Sequence, residues 1–140
     1  MKAEIFLPED YRPAESEPFM NDLQLEYFRR KLIVWKQELL GQSAETIDNL
    51  QDSARSVPDL ADRASEETDR ALELRTRDRQ RKLVGKIDAA LRRIENGEYG
   101  YCEVSGEPIS LKRLDARPIA TLTLESQEKH ERREKVHRDE

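Results

Sequence analysis

Residues 21–40, NDLQLEYFRRKLIVWKQELL, carry the pattern that decides the fold. Apolar side chains recur there at alternating steps of three and four residues: Leu25, Phe28, Leu32, Trp35 and Leu39. This spacing places them in one stripe along a helix and is typical of a coiled coil. Asn21 and Gln24, just ahead of the stripe, have the spacing of a capping pair. The stretch therefore predicts a long coiled-coil helix that begins near residue 21.

A second helix is predicted from about residue 62 to 95, after Pro58, which cannot continue a helix. Its stripe consists of apolar and small residues: Ala64, Thr68, Leu72, Leu83, Ile87, Leu91 and Ile94. Gly97 follows, and a glycine there can adopt the left-handed conformation that ends helices. Two striped helices joined by a short turn cover each other most simply as an antiparallel hairpin. We therefore predict a mainly α protein built on a coiled-coil hairpin.

The regions that flank the hairpin suggest a division of the chain into three parts. Residues 1–19 contain three prolines and are predicted to form an extended N-terminal arm, ordered only where it docks. The hairpin is expected over 20–96, with its tip near 53–64. Residues 97–140 are expected to form a small globular region that ends in a helix from about 124 to 137.

The composition limits both the core and the classes of function. Charged residues make up 39% of the 140 residues, with only three Phe and one Trp, so solvated helices are expected rather than a large core. A net charge of −5 disfavours direct DNA binding, which rewards a basic surface. The lone cysteine and the lack of an apolar run of ~20 residues favour a cytoplasmic protein that does not enter a membrane. The sequence has no Gly-rich phosphate loop and no nucleophile with a nearby base, so no enzyme is predicted.

Charge is distributed unevenly along the predicted hairpin. Residues 41–62 hold five acids against Arg55 alone, whereas residues 70–93 hold nine bases against three acids. The tip is therefore negative, and the shaft and base of the hairpin are positive. A solvated helix face explains any one of these charge runs. The polarity along the hairpin needs a further explanation.

Four blocks of sequence resemble the DksA family of bacterial transcription regulators. They are FMNDLQLEYFRRKLIVWKQEL, PDLADRASEETDRALELRTRDRQRKL, IENGEYGYCEVSGEPIS and RLDARPIATL, and the resemblance runs from about residue 19 to 137. It implies a coiled-coil hairpin on a small globular base with a zinc ribbon. It also implies that RNA polymerase is the partner, that the hairpin enters the secondary channel, and that promoter complexes are destabilised. Many members act together with the alarmone ppGpp.

The resemblance also implies individual site residues. Asp59, Asp62 and Ala64 match the D-x-x-D-x-A motif of the family's tip, where carboxylates can accept hydrogen bonds or perturb a nearby Mg²⁺. Helix capping alone is the alternative role of the two aspartates. The positions that contact the polymerase rim or ppGpp are matched by Arg79, Leu83, Lys86 and Arg117. Gln127 stands where a second lysine is often found, so a response to ppGpp is a hypothesis.

The zinc ribbon of the family is matched in spacing but not in chemistry. Cys102, Ser105, Thr123 and Ser126 fall on the four ligand positions of its C-x2-C-x17-C-x2-C pattern. Neutral hydroxyls are poor zinc ligands, so we expect no zinc and no other metal, with apolar packing in its place. The chain is similar in this respect to zinc-independent members of the family. We interpret Cys102 as unreactive, and a redox sensor is the alternative.

Two other classes of function are alternatives. One is a structural coiled coil that dimerises through its stripes, which the break at Pro58 disfavours. The other is a nucleic-acid-binding protein that uses the basic second helix, which the interleaved acids disfavour. We expect a monomer that binds polymerase.

Overall fold

The computed structural model of the chain describes residues 5–55 and 60–139, apart from the side chains at 46, 50, 53–55, 60–62, 138 and 139. Four helices lie in these ranges: α1 Asp22–Arg55, α2 Leu60–Asn96, α3 Leu111–Ala116 and α4 Leu124–Asp139. The described residues contain no strand, only an isolated antiparallel bridge between Tyr101 and Pro108. None of the described helices is long and apolar enough to cross a membrane. The prediction of a mainly α protein is confirmed.

The chain forms two compact units. The central unit is Ile33–Asp88, and the terminal unit combines Met1–Leu32 with Ala89–Glu140. Both long helices contribute to both units, because α1 and α2 each continue past a boundary. The division into an arm, a hairpin and a globular region stays a prediction.

The start of α1 follows the capping chemistry of its sequence. The Asn21 side chain accepts a hydrogen bond from the Gln24 backbone N–H at 2.8 Å, as the predicted pair requires. The Gln24 side chain accepts from the Met20 N–H at 2.8 Å rather than from Asn21. One unpaired N–H of the first helical turn, that of Gln24, and the N–H of Met20 just ahead of the cap are thereby satisfied.

The end of α2 is a glycine cap of the predicted kind. Gly97 has φ +75°. The Glu98 N–H bonds to the Arg93 carbonyl at 2.9 Å, and the Gly97 N–H bonds to the Ile94 carbonyl at 3.3 Å. This pair of bonds is the Schellman motif, which satisfies the last carbonyls of a helix.

In the central unit α1 and α2 are antiparallel. Lys36 Nζ lies 2.7 Å from Asp88 Oδ1, and Gln80 Nε2 donates to Gln42 Oε1 at 2.9 Å. Moving forward along α1 between these contacts means moving backward along α2, so the predicted hairpin pairing is confirmed. Leu39 of the predicted α1 stripe is buried here.

The predicted apolar stripe is wrong for the part of α2 nearest the tip, because its residues are not the buried ones. Ile87 and Gln80 are buried seven residues apart, and the next position at that spacing, Glu73, is half-buried. Leu72 is instead 54% exposed, and Thr68 is exposed as well. The buried seam of a coiled coil repeats every seven residues, whereas the steps of four from Ala64 to Leu72 drift off the seam.

The core of the terminal unit includes five large, almost completely buried apolar or aromatic side chains: Phe28, Leu32, Tyr99, Ile109 and Leu114. The Phe28 and Tyr99 rings lie 5.6 Å apart, and the Tyr99 hydroxyl donates to the Pro118 carbonyl at 2.7 Å. Tyr99 thus satisfies its polar atom while it fills the core.

The described part of the N-terminal arm docks on α1. The Tyr11 ring meets the Tyr27 ring edge to face at 6.1 Å, and Gln24 Nε2 donates to the Ala14 carbonyl at 3.3 Å.

Gly100, with φ +93°, lies against the Met20 side chain, which would be 3.0 Å from an added Cβ. A side chain at position 100 would therefore strain the backbone and displace Met20.

Candidate functional site

The four former zinc-ligand positions lie in two segments of the terminal unit. Cys102 and Ser105 belong to a loop in which the Cys102 N–H bonds to the Glu107 carbonyl at 2.8 Å and the Gly106 N–H to the Cys102 carbonyl at 2.9 Å. Thr123 precedes α4, and its hydroxyl accepts from the Ser126 N–H at 3.2 Å, which is the geometry of an N-cap. A loop and a helix start therefore present the four side chains.

Hydrogen bonds connect these side chains to one another. The Cys102 thiol donates to the Ser126 hydroxyl at 3.3 Å, and the Thr123 hydroxyl donates to the same oxygen at 3.1 Å. Thr123 Oγ1 also lies 3.9 Å from the Cys102 sulfur. The Ser105 hydroxyl accepts from the Glu107 N–H at 3.3 Å. We call these four residues the hydroxyl–thiol cluster.

Cys102 is buried and polarised at the same time. Its exposure is 3%. Burial raises its pKa, but hydrogen bonds that the thiolate accepts from the side chains of Ser105 and Ser126 and from the backbone of Ser105 and Thr123 outweigh burial and lower the pKa to about 6. A reactive thiol needs both a low pKa and access for the oxidant. Cys102 has the first feature and lacks the second, and the interpretation of Cys102 as unreactive stays a prediction.

The donors of the cluster do not fit zinc. Structural zinc sites use thiolate or imidazole, whereas this cluster offers one thiol and three hydroxyls, and the thiol and the Thr123 hydroxyl already bond to Ser126. In the ranges that the structure describes, no group of three or more His, Cys, Asp or Glu could hold a metal ion. His130 on α4 instead lies 3.1 Å from Glu134.

The predicted polymerase contacts on α2 share one helix face. Arg79, Leu83 and Lys86 follow each other at steps of four and three residues, which places them in one row. Arg79 and Lys86 are exposed, and Leu83 is half-buried in the central unit. Arg117 belongs to the terminal unit, where it is the exposed C-cap of α3.

The tip motif falls largely outside the described residues. Asp59 lies outside them entirely, and Asp62 is described only as part of the α2 backbone. Ala64 is an exposed residue of α2. The roles of all three stay predictions.

One polar cluster was not predicted. The Tyr27 hydroxyl donates to Asp115 Oδ1 at 2.6 Å, and Lys31 Nζ donates both to Asp115 Oδ1 and to the Asp115 carbonyl, each at 2.6 Å. The Lys31 and Tyr27 bonds lower the Asp115 pKa, while burial followed by the bond to Asp115 raises the Tyr27 pKa to about 12. The only signal in the sequence was the position of Asp115 beside Arg117 in LDARP. Nothing there indicated its partners on α1.

The central unit contains an antiparallel pair of helices, and the terminal unit contains four residues at the spacing of zinc-finger ligands. These features define a class of small helical proteins with a zinc-finger-like segment. The profile "DnaK suppressor protein DksA, N-terminal domain" matches residues 24–94, and "Prokaryotic dksA/traR C4-type zinc finger" matches residues 97–132. The chain belongs to the DksA family, so the family inferred from its sequence blocks is confirmed.

Relatives and a solved structure agree with this assignment. The chain is 68% identical over 130 residues to the RNA polymerase-binding transcription factor DksA of Caulobacter vibrioides, covering 93% of this chain and 92% of the relative. It is 42% identical over 127 residues to the protein of that name from Escherichia coli K12, covering 91% and 84%. The structure of DksA2 from Pseudomonas aeruginosa matches with a TM-score of 0.80 and 40% identity, covering 86% of this chain and 95% of that one. These relatives are named transcription factors, and the chain is a member of a family of regulators, not of enzymes.

Proposed function

We propose that this chain binds RNA polymerase and regulates transcription. The observation that carries the proposal is the 68% identity, over 93% of the chain, with a Caulobacter protein named as an RNA polymerase-binding transcription factor. A cytoplasmic location follows from the same proposal, because transcription in bacteria takes place there.

The central unit is the part that we propose enters the polymerase through its secondary channel. Two antiparallel helices make it up, so its cross-section suits a narrow opening. Asp59 and Asp62 would present carboxylates near the active centre, where they could accept hydrogen bonds or perturb Mg²⁺. The exposed methyl side chain of Ala64 adds little width beside them. The expected effect is a change in the stability of promoter complexes.

The row of Arg79, Leu83 and Lys86 is proposed to contact the polymerase rim. Two exposed cations on one helix face support a contact with acidic groups. Arg117 is proposed to contact the rim or ppGpp, since a guanidinium can bind phosphate with two parallel hydrogen bonds. Gln127 donates to Glu131 at 3.1 Å and brings no charge, so a ppGpp site here would have one cation fewer than a site with lysine at this position.

We further propose that the hydroxyl–thiol cluster holds its segment together without zinc. Support comes from its internal hydrogen bonds. The Glu103 N–H also bonds to the Thr121 carbonyl at 2.9 Å, which joins the loop of Cys102 to the segment that precedes α4. Buried Ile109 and Ile119 add apolar packing on either side of α3.

A binding titration against RNA polymerase tests the proposed function. We expect saturable binding that weakens about 10-fold or more for the double variant Arg79→Ala/Lys86→Ala, because charged contacts at an interface are removed. Arg77→Ala/Arg81→Ala is the matched control, since these exposed arginines lie on the opposite face of α2. Failure of the parent chain to bind polymerase would overturn the proposal. DNA binding without polymerase, or a dimer by light scattering, would favour the alternatives.

A further inference from the structure

We propose that Asp115, held by Lys31 and Tyr27 of α1, is a positioning residue for Arg117. This inference rests on the proposed function, in which Arg117 contacts the polymerase or a ligand bound to it. The three residues then act on binding through Arg117 and not through contacts of their own.

The helix that leads to Arg117 is too short to hold its own position. α3 has six residues, and isolated helices of this length are unstable in water. The Ser110 hydroxyl caps its start by accepting from the Arg113 N–H at 3.2 Å, and the Arg117 N–H bonds to the Arg113 carbonyl at 2.8 Å. These local bonds fix the shape of α3 but not where it points.

The orientation of α3 comes from α1. Lys31 Nζ bonds to the Asp115 carbonyl in the last turn of α3, where a cation is favoured by the helix dipole, and also to the Asp115 carboxylate. The Tyr27 hydroxyl bonds to the same carboxylate oxygen at 2.6 Å. Three bonds from one face of α1 therefore converge on a single residue of α3.

The donors themselves are fixed by the core. Tyr27 and Lys31 are four residues apart on α1 and so share a face. Their neighbours Phe28 and Leu32 are fully buried, which prevents α1 from turning about its axis. The position of Asp115 is thus set by the packing of the terminal unit.

Arg117 follows Asp115 by two residues and is held on both sides. Its carbonyl accepts from the Ala120 N–H at 3.0 Å, and the next carbonyl, that of Pro118, accepts from the buried Tyr99 hydroxyl. Its side chain is exposed and makes no hydrogen bond or ion pair within residues 5–55 and 60–139. A fixed backbone with an uncommitted guanidinium suits recognition of an anionic group with little ordering cost.

A double-mutant cycle on polymerase affinity tests the positioning role. The variants are Lys31→Met, Arg117→Gln and their combination, with Kd measured for each. We expect Lys31→Met alone to weaken binding about 5-fold, and to have no further effect once Arg117 is replaced, because coupled residues are not additive. Asp115→Asn should reproduce the Lys31→Met result, and Lys31→Arg should restore part of the affinity. Arg29→Met, which removes an ion pair with Glu26 on α1 in the terminal unit, is the matched control and should leave Kd unchanged.

The outcomes separate this inference from the proposed function. If Arg117→Gln binds polymerase as tightly as the parent chain, Arg117 makes no contact that contributes to binding. The proposed contact of Arg117 and the positioning role of Asp115 are then both overturned. If Arg117→Gln weakens binding but Lys31→Met does not, the contact stands and the positioning role is overturned. Equal losses from Lys31→Met with and without Arg117 would mean that Lys31 acts independently, which also overturns it. Circular dichroism melts of every variant identify any loss that comes from unfolding.

Discussion

Cys102 owes its chemistry to the hydroxyls around it. Its sulfur occupies the first of four ligand positions, and the other three carry Ser105, Thr123 and Ser126. The spacing in the sequence predicted that these residues would form one site; in the structure the Cys102 thiol and the Thr123 hydroxyl both donate to the Ser126 hydroxyl. The lowered pKa could not be predicted, because it depends on which hydroxyl and amide groups point at the sulfur.

A pH dependence of stability follows from Cys102. Its pKa in the folded chain is about 6, below the ordinary thiol value of about 8.5. The unfolded state therefore binds more protons in this window, so the stabilisation is fully present above the unfolded pKa and is lost as pH falls through about 6. Denaturant unfolding between pH 9 and pH 6 should show this loss for the parent chain. Cys102→Ser keeps a hydrogen-bonding group but does not titrate, and should lack it.

The same experiment has an independent readout. Thiolate absorbance in the ultraviolet reports Cys102 alone, because the chain has one cysteine. Identical pH slopes for the parent and Cys102→Ser, or a thiol that titrates near 8.5, would contradict the described hydrogen bonding.

Tyr99 gives a second prediction at the residue scale. Its ring is 1% exposed, and its hydroxyl donates to the Pro118 carbonyl. Tyr99→Phe leaves that carbonyl without this donor and should lower the free energy of unfolding by about 1–2 kcal/mol. Tyr101, which is 42% exposed, is the control, and Tyr101→Phe should change stability by less than about 0.5 kcal/mol. An equal effect of the two changes in denaturant titrations would refute the role given to Tyr99.

Among the elements, α1 was predicted better than α2. The α1 stripe has large apolar residues at coiled-coil spacing, and Phe28, Leu32 and Leu39 are buried as expected. In the part of α2 nearer the tip, no such signal exists, because the seven-residue seam runs through Glu73 and Leu72 points outward. When charged residues occupy the buried seam of a helix, the apolar residues beside the seam lead to a wrong prediction of which face is buried. α3 was missed because six residues carry too little periodicity to detect.

The hydrogen bond from buried Gln80 to exposed Gln42 is a polar contact between the two helices of the central unit. Gln80 is 8% exposed, and its Oε1 has no hydrogen-bond partner among the described residues. Replacing both amides by leucine removes the desolvation cost of that oxygen and should raise the free energy of unfolding by about 1–3 kcal/mol. Thermal melts by circular dichroism measure the gain.

A single exposed glutamine supplies the control for this change. Gln37→Leu on α1 should leave the melting temperature nearly unchanged, since residue 37 is exposed. A lower melting temperature for Gln42→Leu/Gln80→Leu would show that the amide pair stabilises the hairpin. Light scattering checks that the added leucines have not caused association, because polar layers also restrict oligomeric state.

At the scale of the whole molecule, periodicity predicted the helical hairpin, and the family resemblance predicted the segment that carries the former zinc-ligand positions. The terminal unit buries Tyr99, Ile109, Leu111, Leu114 and Ile119, and such side chains stabilise a fold by about 1.5–3 kcal/mol each before the entropy cost is counted. This packing is the physical reason to expect folding without metal. The sequence showed the apolar residues but not that Phe28 of α1 would pack against Tyr99.

Metal removal tests that expectation at the scale of the molecule. In excess chelator the circular dichroism spectrum and the melting temperature should be unchanged, and elemental analysis should find no stoichiometric zinc. Unfolding of the chain on chelation, as seen for zinc fingers that need their metal, would contradict the proposal that the segment of the hydroxyl–thiol cluster folds without metal.

The most direct test of the proposed regulator is transcription from a ribosomal promoter by purified polymerase, with the parent chain and with Asp59→Asn. The substitution retains the ability to cap a helix but removes the charge. Polymerase affinity, measured in parallel, should be the same for both chains. We predict that the parent chain reduces transcription and that Asp59→Asn binds but does not. Equal repression by the two chains would contradict the role of negative charge at the tip, and no effect of either chain would contradict the regulatory function itself.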